Sequence, residues 1–388
     1  MSVVIPTYNR KGYVQEAIES ILAQTYTDYE IIVVDDGSTD GTGEALQARY
    51  GDRIRYVWQK NSGECAARNR SIEMAGGEYL AFLDSDDLYL PDKLFAQVAF
   101  LEGHPGVDLV AGGVELIDAQ GRKLGYLRWW EEQPTLCIDT AAHSCPLIPS
   151  VVLLRRSVLG RLDHWFAVEF EVAGDTDFFL RLLLAGCTMA WDRRIVSKYR
   201  LHEGGCQIDG ARYSRAYQKM LDRLFARPDL PERVRVQEPS VRAVYSLRTA
   251  CRCYATGQID DAVRDLERAV VLDPGLANRQ FPTQVAQMIA ATADSWWVAD
   301  PLAYVNQVFS NLPPALPQLA ALRSEALSVM HMKRVFHAHA TGQEIRPSDW
   351  LRGVYYAPRW LLNRGVWSIG VQRLVGRRVT AWLRKLVR

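Results

Sequence analysis

Two apolar runs in this chain stop abruptly at carboxylates, and together they fix the architecture it can adopt. Residues 79–83 read YLAFL and lead into Asp84-Ser85-Asp86-Asp87. Residues 30–34 read EIIVV and lead into Asp35-Asp36, followed by the turn-rich segment from Gly37 to Gly41. Apolar strands that release acids and glycines at their C-terminal ends describe the ligand edge of an open α/β sheet. Three carboxylates at the tip of a buried strand are costly to hold together unless a cation sits among them. Oxygen ligands of that kind suit Mg²⁺ or Mn²⁺, which share their coordination with substrate phosphates. The plainer alternative for this segment alone is an acidic cap for a helix near Pro91.

The neighbouring pattern extends this reading. Strand-like segments at 3–5, 30–34, 54–58 and 79–83 alternate with helical ones at 13–22, 42–50, 64–75 and 91–101. Such alternation predicts βαβ units and a mainly parallel sheet. Strand candidates follow at 109–117, 151–154 and 195–199, with an amphipathic helix at 176–185. From Tyr213 onward the periodicity is helical, broken by prolines at 227–231 and 311–314. The expectation is an α/β domain over 1–210 and an all-α domain over 211–388. Ala250, Gly257, Ala262, Ala269 and Pro274 fall at the spacings of one tetratricopeptide-like hairpin, with a weaker echo at 338–343. One copy cannot build a solenoid, so an irregular helical domain is expected.

A length of 388 residues suits two domains with separate cores. With 46 basic against 45 acidic residues the chain lacks a bulk nucleic-acid signature, and no nucleic-acid partner is expected. The opening strand-like segment predicts no signal peptide, and no apolar run approaches a membrane span. Seven scattered cysteines suit a reduced, cytoplasmic setting. Residues 370–388 carry six cations (Arg373, Arg377, Arg378, Arg384, Lys385, Arg388) and no acid, with Val371, Val375, Val379, Trp382 and Leu386 at helical spacing. That pattern suits a helix lying on an anionic membrane surface, which would place the protein at the inner face of a membrane. A docked terminal helix with a solvated basic face is the alternative.

In order, the segments IPTYNR, VVDDGSTDGT, NSGECAARN, GGEYLAFLDSDD and DTDFFLRLLLAG resemble the inverting family 2 glycosyltransferases, over about residues 1–205. The resemblance implies a GT-A nucleotide-diphospho-sugar transferase fold, with a helical appendage after it. Pro6, Thr7 and Tyr8 end the first strand where backbone groups and the Tyr8 ring could bracket a base. The resemblance puts Asp36 on the base N–H, which suits uracil or thymine. Arg68 would bring a cation to the nucleotide. Packing for Tyr8, a solvated helix position for Arg68 and a bare turn at 61–63 are the competing readings. In Asp84-Ser85-Asp86 the family precedent directs Asp84 toward ribose and sugar and Asp86 onto Mn²⁺ or Mg²⁺, with Asp87 in support. His202 follows a strand-like run, where family members carry a histidine on metal or diphosphate; a purely structural histidine is the competing reading.

Direct displacement at the anomeric carbon needs a carboxylate beside the acceptor hydroxyl. In the family this is the Asp of a Glu-Asp pair before a helix. Here that position reads Gly174-Asp175, then Thr176-Asp177. Asp175 is the candidate base, Asp177 its rival, and both could instead cap the helix. Neither the Gln-x-x-Arg-Trp segment nor the membrane helices of processive synthases occur, which favours single transfers. The implied donor is a nucleoside-diphosphate sugar, probed first as a UDP-sugar, and the acceptor a glycan, a lipid-linked molecule or a protein. A sugar-nucleotide pyrophosphorylase would need a glycine-rich loop after the first strand, which this chain lacks. A non-catalytic sugar-nucleotide-binding scaffold built on the helical domain is the other rival.

Overall fold

The structure is a computed structural model describing residues 1–202, 209–278, 282–295, 298–341, 344–363, 365, 366 and 369. It divides into two compact units, residues 1–208 with 215–241, and residues 209–214 with 242–388.

The first unit runs β1 (Ser2–Thr7), α1 (Lys11–Leu22), β2 (Glu30–Asp35), α2 (Thr42–Tyr50), β3 (Arg55–Trp58), α3 (Glu64–Met74), β4 (Tyr79–Phe82) and β5 (Leu88–Tyr89). It continues through α4 (Lys93–Gly103), β6 (Leu109–Asp118), β7 (Lys123–Leu127), α5 (Ile138–Ala141), β8 (Val152–Arg155), α6 (Gly174–Leu184) and β9 (Met189–Leu201). One sheet holds these strands in the order β3-β2-β1-β4-β8-β6-β9-β5, with β7 beside β6. Because β1 pairs in parallel with both β2 and β4, their C-terminal ends open on one edge. Side chains alternate between two cores: Val4, Ile32 and Phe82 on one face, and Val3, Ile5, Val33 and Leu83 on the other. Burial on both faces is what makes these strands read as continuous apolar runs. Beyond β8 the sheet turns mixed, since β8 is antiparallel to β4 and β6.

The helices α7 (Gly210–Phe225) and α8 (Glu232–Arg235) follow. The expected cut near residue 210 lies at the start of α7, whereas residues 215–241 pack within the first unit. Specific contacts explain this. Tyr217 Oη lies 3.3 Å from Thr176 Oγ1, Arg223 donates to Glu169 at 2.5 Å, and Arg233 to Asp139 at 3.0 Å.

The second unit contains α9 (Glu238–Ala255) from residue 242 onward, α10 (Ile259–Leu272), α11 (Gly275–Asn278), α12 (Gln284–Ala293), α13 (Pro301–Ser310), α14 (Arg323–Thr341) and α15 (Pro347–Tyr356). Among its described residues there is no strand. The α9–α10 pair is the hairpin expected from spacing. Gly257 turns it at φ 78°, a conformation glycine adopts without a Cβ penalty. Ala250, Ala262 and Ala269 are fully buried in its core. Asp265, 3% exposed, accepts from Ser214 at 2.5 Å and Thr249 at 2.7 Å. No described helix is long and apolar enough to cross a membrane. The basic segment 370–388 lies outside the described residues.

Candidate active site at the sheet edge

The parallel strands deliver the sequence-predicted residues to one edge in two groups. In the first, the ladder runs on past the strand ends, with Asp36 N donating to Thr7 O at 2.8 Å. This sets Asp36 beside Pro6-Thr7-Tyr8. The Asp36 carboxylate, 3% exposed, accepts from Gln59 Nε2 (2.7 Å) and Ser62 N (2.9 Å) at Oδ1 and from Gly63 N (2.8 Å) at Oδ2. The acid therefore organises loop 59–63. Gly37 lies against that loop, with φ +91° and the site of a Cβ only 2.8 Å from Asn61 N. Asn9 adopts φ 49° and stitches the β1 loop to the β2 loop, donating from N to Ser38 Oγ at 2.8 Å and accepting from Thr39 N at 2.7 Å. Tyr8 is 48% exposed at the mouth, while the buried Thr7 Oγ1 has no hydrogen-bond partner among the described residues. A buried hydroxyl facing this edge is suited to meeting a ligand.

The second group surrounds Asp84-Ser85-Asp86-Asp87. The two-residue strand β5 pairs antiparallel with β9 and draws this loop onto the β9 end. Arg200 clamps the join, donating from N to Asp87 Oδ1 at 3.0 Å and from Nε to Asp86 O at 2.9 Å. Two residues further on, His202 Nε2 lies 2.9 Å from Asp86 Oδ2. Arg10, at the start of α1, places its Nη1 on Asp86 Oδ2 and 3.2 Å from His202 Nε2. Burial and the nearby Arg10 and Arg200 lower the proton affinity of His202, which favours a neutral, ligand-competent imidazole. Asp87, 1% exposed, accepts from Ser150 Oγ at 2.6 Å. Burial first, and then the charge of Asp84, push its carboxyl up to about 8. Asp87 thus supports the loop from behind, and Ser85 is buried beside it.

Arg68 joins this cluster to α6. Its Nη2 donates to Asp84 at 2.7 Å and to Glu64 at 2.5 Å, and its buried Nε has no partner among the described residues. Asp175, at the start of α6, accepts from Thr176 N at 2.7 Å. Burial raises its carboxyl above the usual range; Arg68 and that N–H oppose the shift, and Asp84 adds to it. A carboxylate with raised proton affinity is a better general base near neutral pH. Asp177 has other commitments. At 5% exposure it accepts from Arg181 Nε at 2.7 Å, and Arg181 donates onward to His164 O at 2.6 Å. Of the two rivals, Asp175 stands with Arg68 and Asp84, and Asp177 braces α6.

Two contributors were not legible beforehand. Arg10 and Glu64 sit in IPTYNR and NSGECAARN, but neither pattern says where a long side chain goes. Among the described residues no group of three or more His, Cys, Asp or Glu side chains could hold a metal. The Asp86–His202 pair offers two ligands, so a divalent ion here would need phosphate oxygens and water to complete its shell and would have to displace Arg10 from Asp86 Oδ2.

Comparison with known proteins bears on the family and the fold. The description Glycosyl transferase family 2 matches residues 2–161. An uncharacterized glycosyltransferase of Rickettsia typhi is 35% identical over 208 residues, 52% of this chain and 64% of its own, so the chain spans less than two thirds of that relative. The putative teichuronic acid biosynthesis glycosyltransferase TuaG of Bacillus subtilis is 44% identical over 204 residues, covering 52% of this chain and 79% of TuaG. Among solved structures, residues 1–349 of S. aureus TarS superpose with a TM-score of 0.51 at 19% identity, covering 89% of this chain and 92% of that one. The mannosyltransferase PcManGT of Pyrobaculum calidifontis gives 0.51 at 18% identity, with 87% of each chain covered. At such identities the likeness is one of fold, and it matches the expected GT-A architecture. The sequence relationship to TuaG goes further, and the chain belongs to the family 2 glycosyltransferases.

Proposed function

We propose that this protein transfers a sugar from a nucleoside-diphosphate sugar, a UDP-sugar first among them, to an acceptor hydroxyl with inversion. The observation that carries the reading is the convergence of Asp84, Asp86, Arg68, Asp175 and His202 at one sheet edge, drawn from β4, α3, α6 and β9. In this reading Asp175 takes the acceptor proton. The acceptor oxygen attacks the anomeric carbon from the face opposite the diphosphate, and the bond from that carbon to the phosphate oxygen breaks. Its electron pair leaves with the nucleoside diphosphate. Asp86 and His202 would hold Mn²⁺ or Mg²⁺, whose Lewis acidity offsets charge on the leaving group. Arg68 orients Asp84 toward the sugar and keeps a positive charge beside it. Pro6, Thr7, Tyr8 and Asp36 would frame the base. The remaining acceptor capacity of Asp36 Oδ2 suits an N–H donor, as in uracil. TarS has been crystallised with UDP-GlcNAc and PcManGT with GDP-Man and Mn²⁺, so the fold itself leaves the base open.

A panel of nucleotide sugars, assayed for metal-dependent release of nucleoside diphosphate, tests the reading. Turnover with at least one donor, lost in excess chelator, is expected. A buried acceptor left unpaired costs about 1–3 kcal/mol, so UDP should bind roughly tenfold or more tighter than CDP. Donor binding with no turnover on any acceptor would leave the scaffold alternative standing.

A further inference from the structure

Before Asp175 this chain has Gly174 in place of a carboxylate, and the space a side chain would take there is held by a thiol from another helix. A Cβ on Gly174 would lie 2.5 Å from Cys65 Sγ and 3.6 Å from Phe170 Cβ. Any side chain there must displace the thiol, which is itself fixed by donation to Phe170 O at 3.2 Å. The first turns of α3 and α6 therefore meet at Cys65 and Gly174, and the flanking residues Glu64 and Asp175 are brought to the same place. Glu64 keeps 48% of its side chain exposed, so it faces the cleft rather than the core. It holds Arg68 at 2.5 Å, the guanidinium that also serves Asp84 at 2.7 Å.

We propose that Glu64 is the positioning residue for Asp175: it engages Arg68 and so keeps that cation from quenching the basicity of the neighbouring carboxylate. The acid pair is assembled across two helices instead of along one. This inference rests on the reading of Asp175 as the base. The charges facing Asp175 are Arg68 and Glu64 from α3 and Asp84 from the β4 end, with the thiols of Cys65 and Cys145 nearby. Those facing Glu64 are Arg68, Asp84, Asp175 and Arg10. Reduced hydration in the cleft raises the Glu64 carboxyl despite its exposed flank; Arg68 pulls it back, and Asp84 and Asp175 add to the rise. Arg68 acts on both carboxylates, so a change in the charge that engages it at Glu64 reaches Asp175.

Glu64→Gln removes one charge from a side chain that is 48% exposed, so the fold should tolerate it. With Glu64 neutral, Arg68 acts fully on Asp175 and weakens it as a base. The expected result in the full chain is a lower kcat, with the acidic limb of the kcat profile moved to lower pH and the donor KM unchanged. The kcat loss should be smaller than the about 10²–10⁴-fold expected for removing the base itself. Glu64→Asp should keep the limb near its wild-type position. An unmoved limb in Glu64→Gln, or an effect confined to donor KM, overturns the proposal. Asp175→Asn run alongside separates the two readings. If that variant stays active, the assignment of the base has failed; if it is inactive while the Glu64→Gln profile is wild type, only the role of Glu64 has.

Discussion

In the first unit the polar contacts that shape the cleft join residues far apart in the chain: Asp86 to His202 across 116 positions, and Arg200 to Glu16 across 184. In the helical unit they reach less far, from Asp265 to Thr249 and Ser214 across 16 and 51, and from His331 to Asp349 across 18. A sheet edge gathers side chains from many crossovers, which lets charge accumulate where a ligand can answer it. Helix pairs put neighbours in register locally, so buried polar groups there serve as struts. The difference predicts that charge removal in the first unit costs chemistry first, while in the second it costs stability first.

The largest effect should come from Asp86→Asn. Replacing the carboxylate removes charge from the ion position, and turnover should vanish while thermal unfolding stays near wild type. Full activity of that variant would break the contrast at its strongest point.

Asp265→Ala tests the other side. It strips Ser214 and Thr249 of their acceptor in a buried place, and unfolding free energy should fall by about 2–4 kcal/mol. Calorimetric unfolding of the purified variant reads this directly. A neutral result would mean that the strut bears no load.

Lys93 sharpens the comparison, because it is a buried charge in the first unit that lies outside the cleft cluster. At 2% exposure its Nζ donates to Gln97 Oε1 at 2.7 Å and Val152 O at 3.2 Å, over the Tyr89 ring. Burial pushes its ammonium down to about 7, against a weaker pull from Asp192. Between that value and the unfolded value near 10.5 the unfolded chain binds a proton that the folded chain does not. Stability from this group therefore rises with pH across the window, and the penalty is full below it. Lys93→Met should flatten that slope while leaving kcat unchanged. Chemical denaturation at pH 6.5 and pH 9.5 measures it.

The smallest effect concerns residues 370–388. Their six cations should give salt-sensitive binding to anionic vesicles, worth about 1 kcal/mol each near the surface. Cutting after Ile369 should abolish cosedimentation and leave turnover on a soluble acceptor unchanged. Absence of full-length protein from the vesicle pellet at low salt would discard the membrane reading.

The parallel strands β1, β2 and β4 were legible as continuous apolar runs, and the helices between them and the helical hairpin by helical spacing. Two strands were not. β5 is only two residues long, and β7 has mostly exposed side chains, so neither leaves a periodic trace. The acids of the site could be read because clustered carboxylates at the ends of apolar strands are conspicuous in a sequence. Arg10 and Glu64 could not, because a long charged side chain at a helix start looks the same whether it meets water or a ligand. The contact between Gly174 and Cys65 lay hidden for a related reason. It joins positions 109 apart, and neither residue departs from its helix pattern.

The β5–β9 pairing also gives the cleft an order of construction. On a ribosome adding about 5–20 residues per second, Asp86 emerges roughly 6–23 s before His202. By then β1, β2 and β4 are available to form the Asp36 side of the cleft, and loop 59–63 can close on Asp36. The Asp86 side must await the last strand, which enters between β6 and β5 and brings Arg200 and His202 with it. On the proposed reading, a newborn chain has its place for the base before its place for the diphosphate is complete.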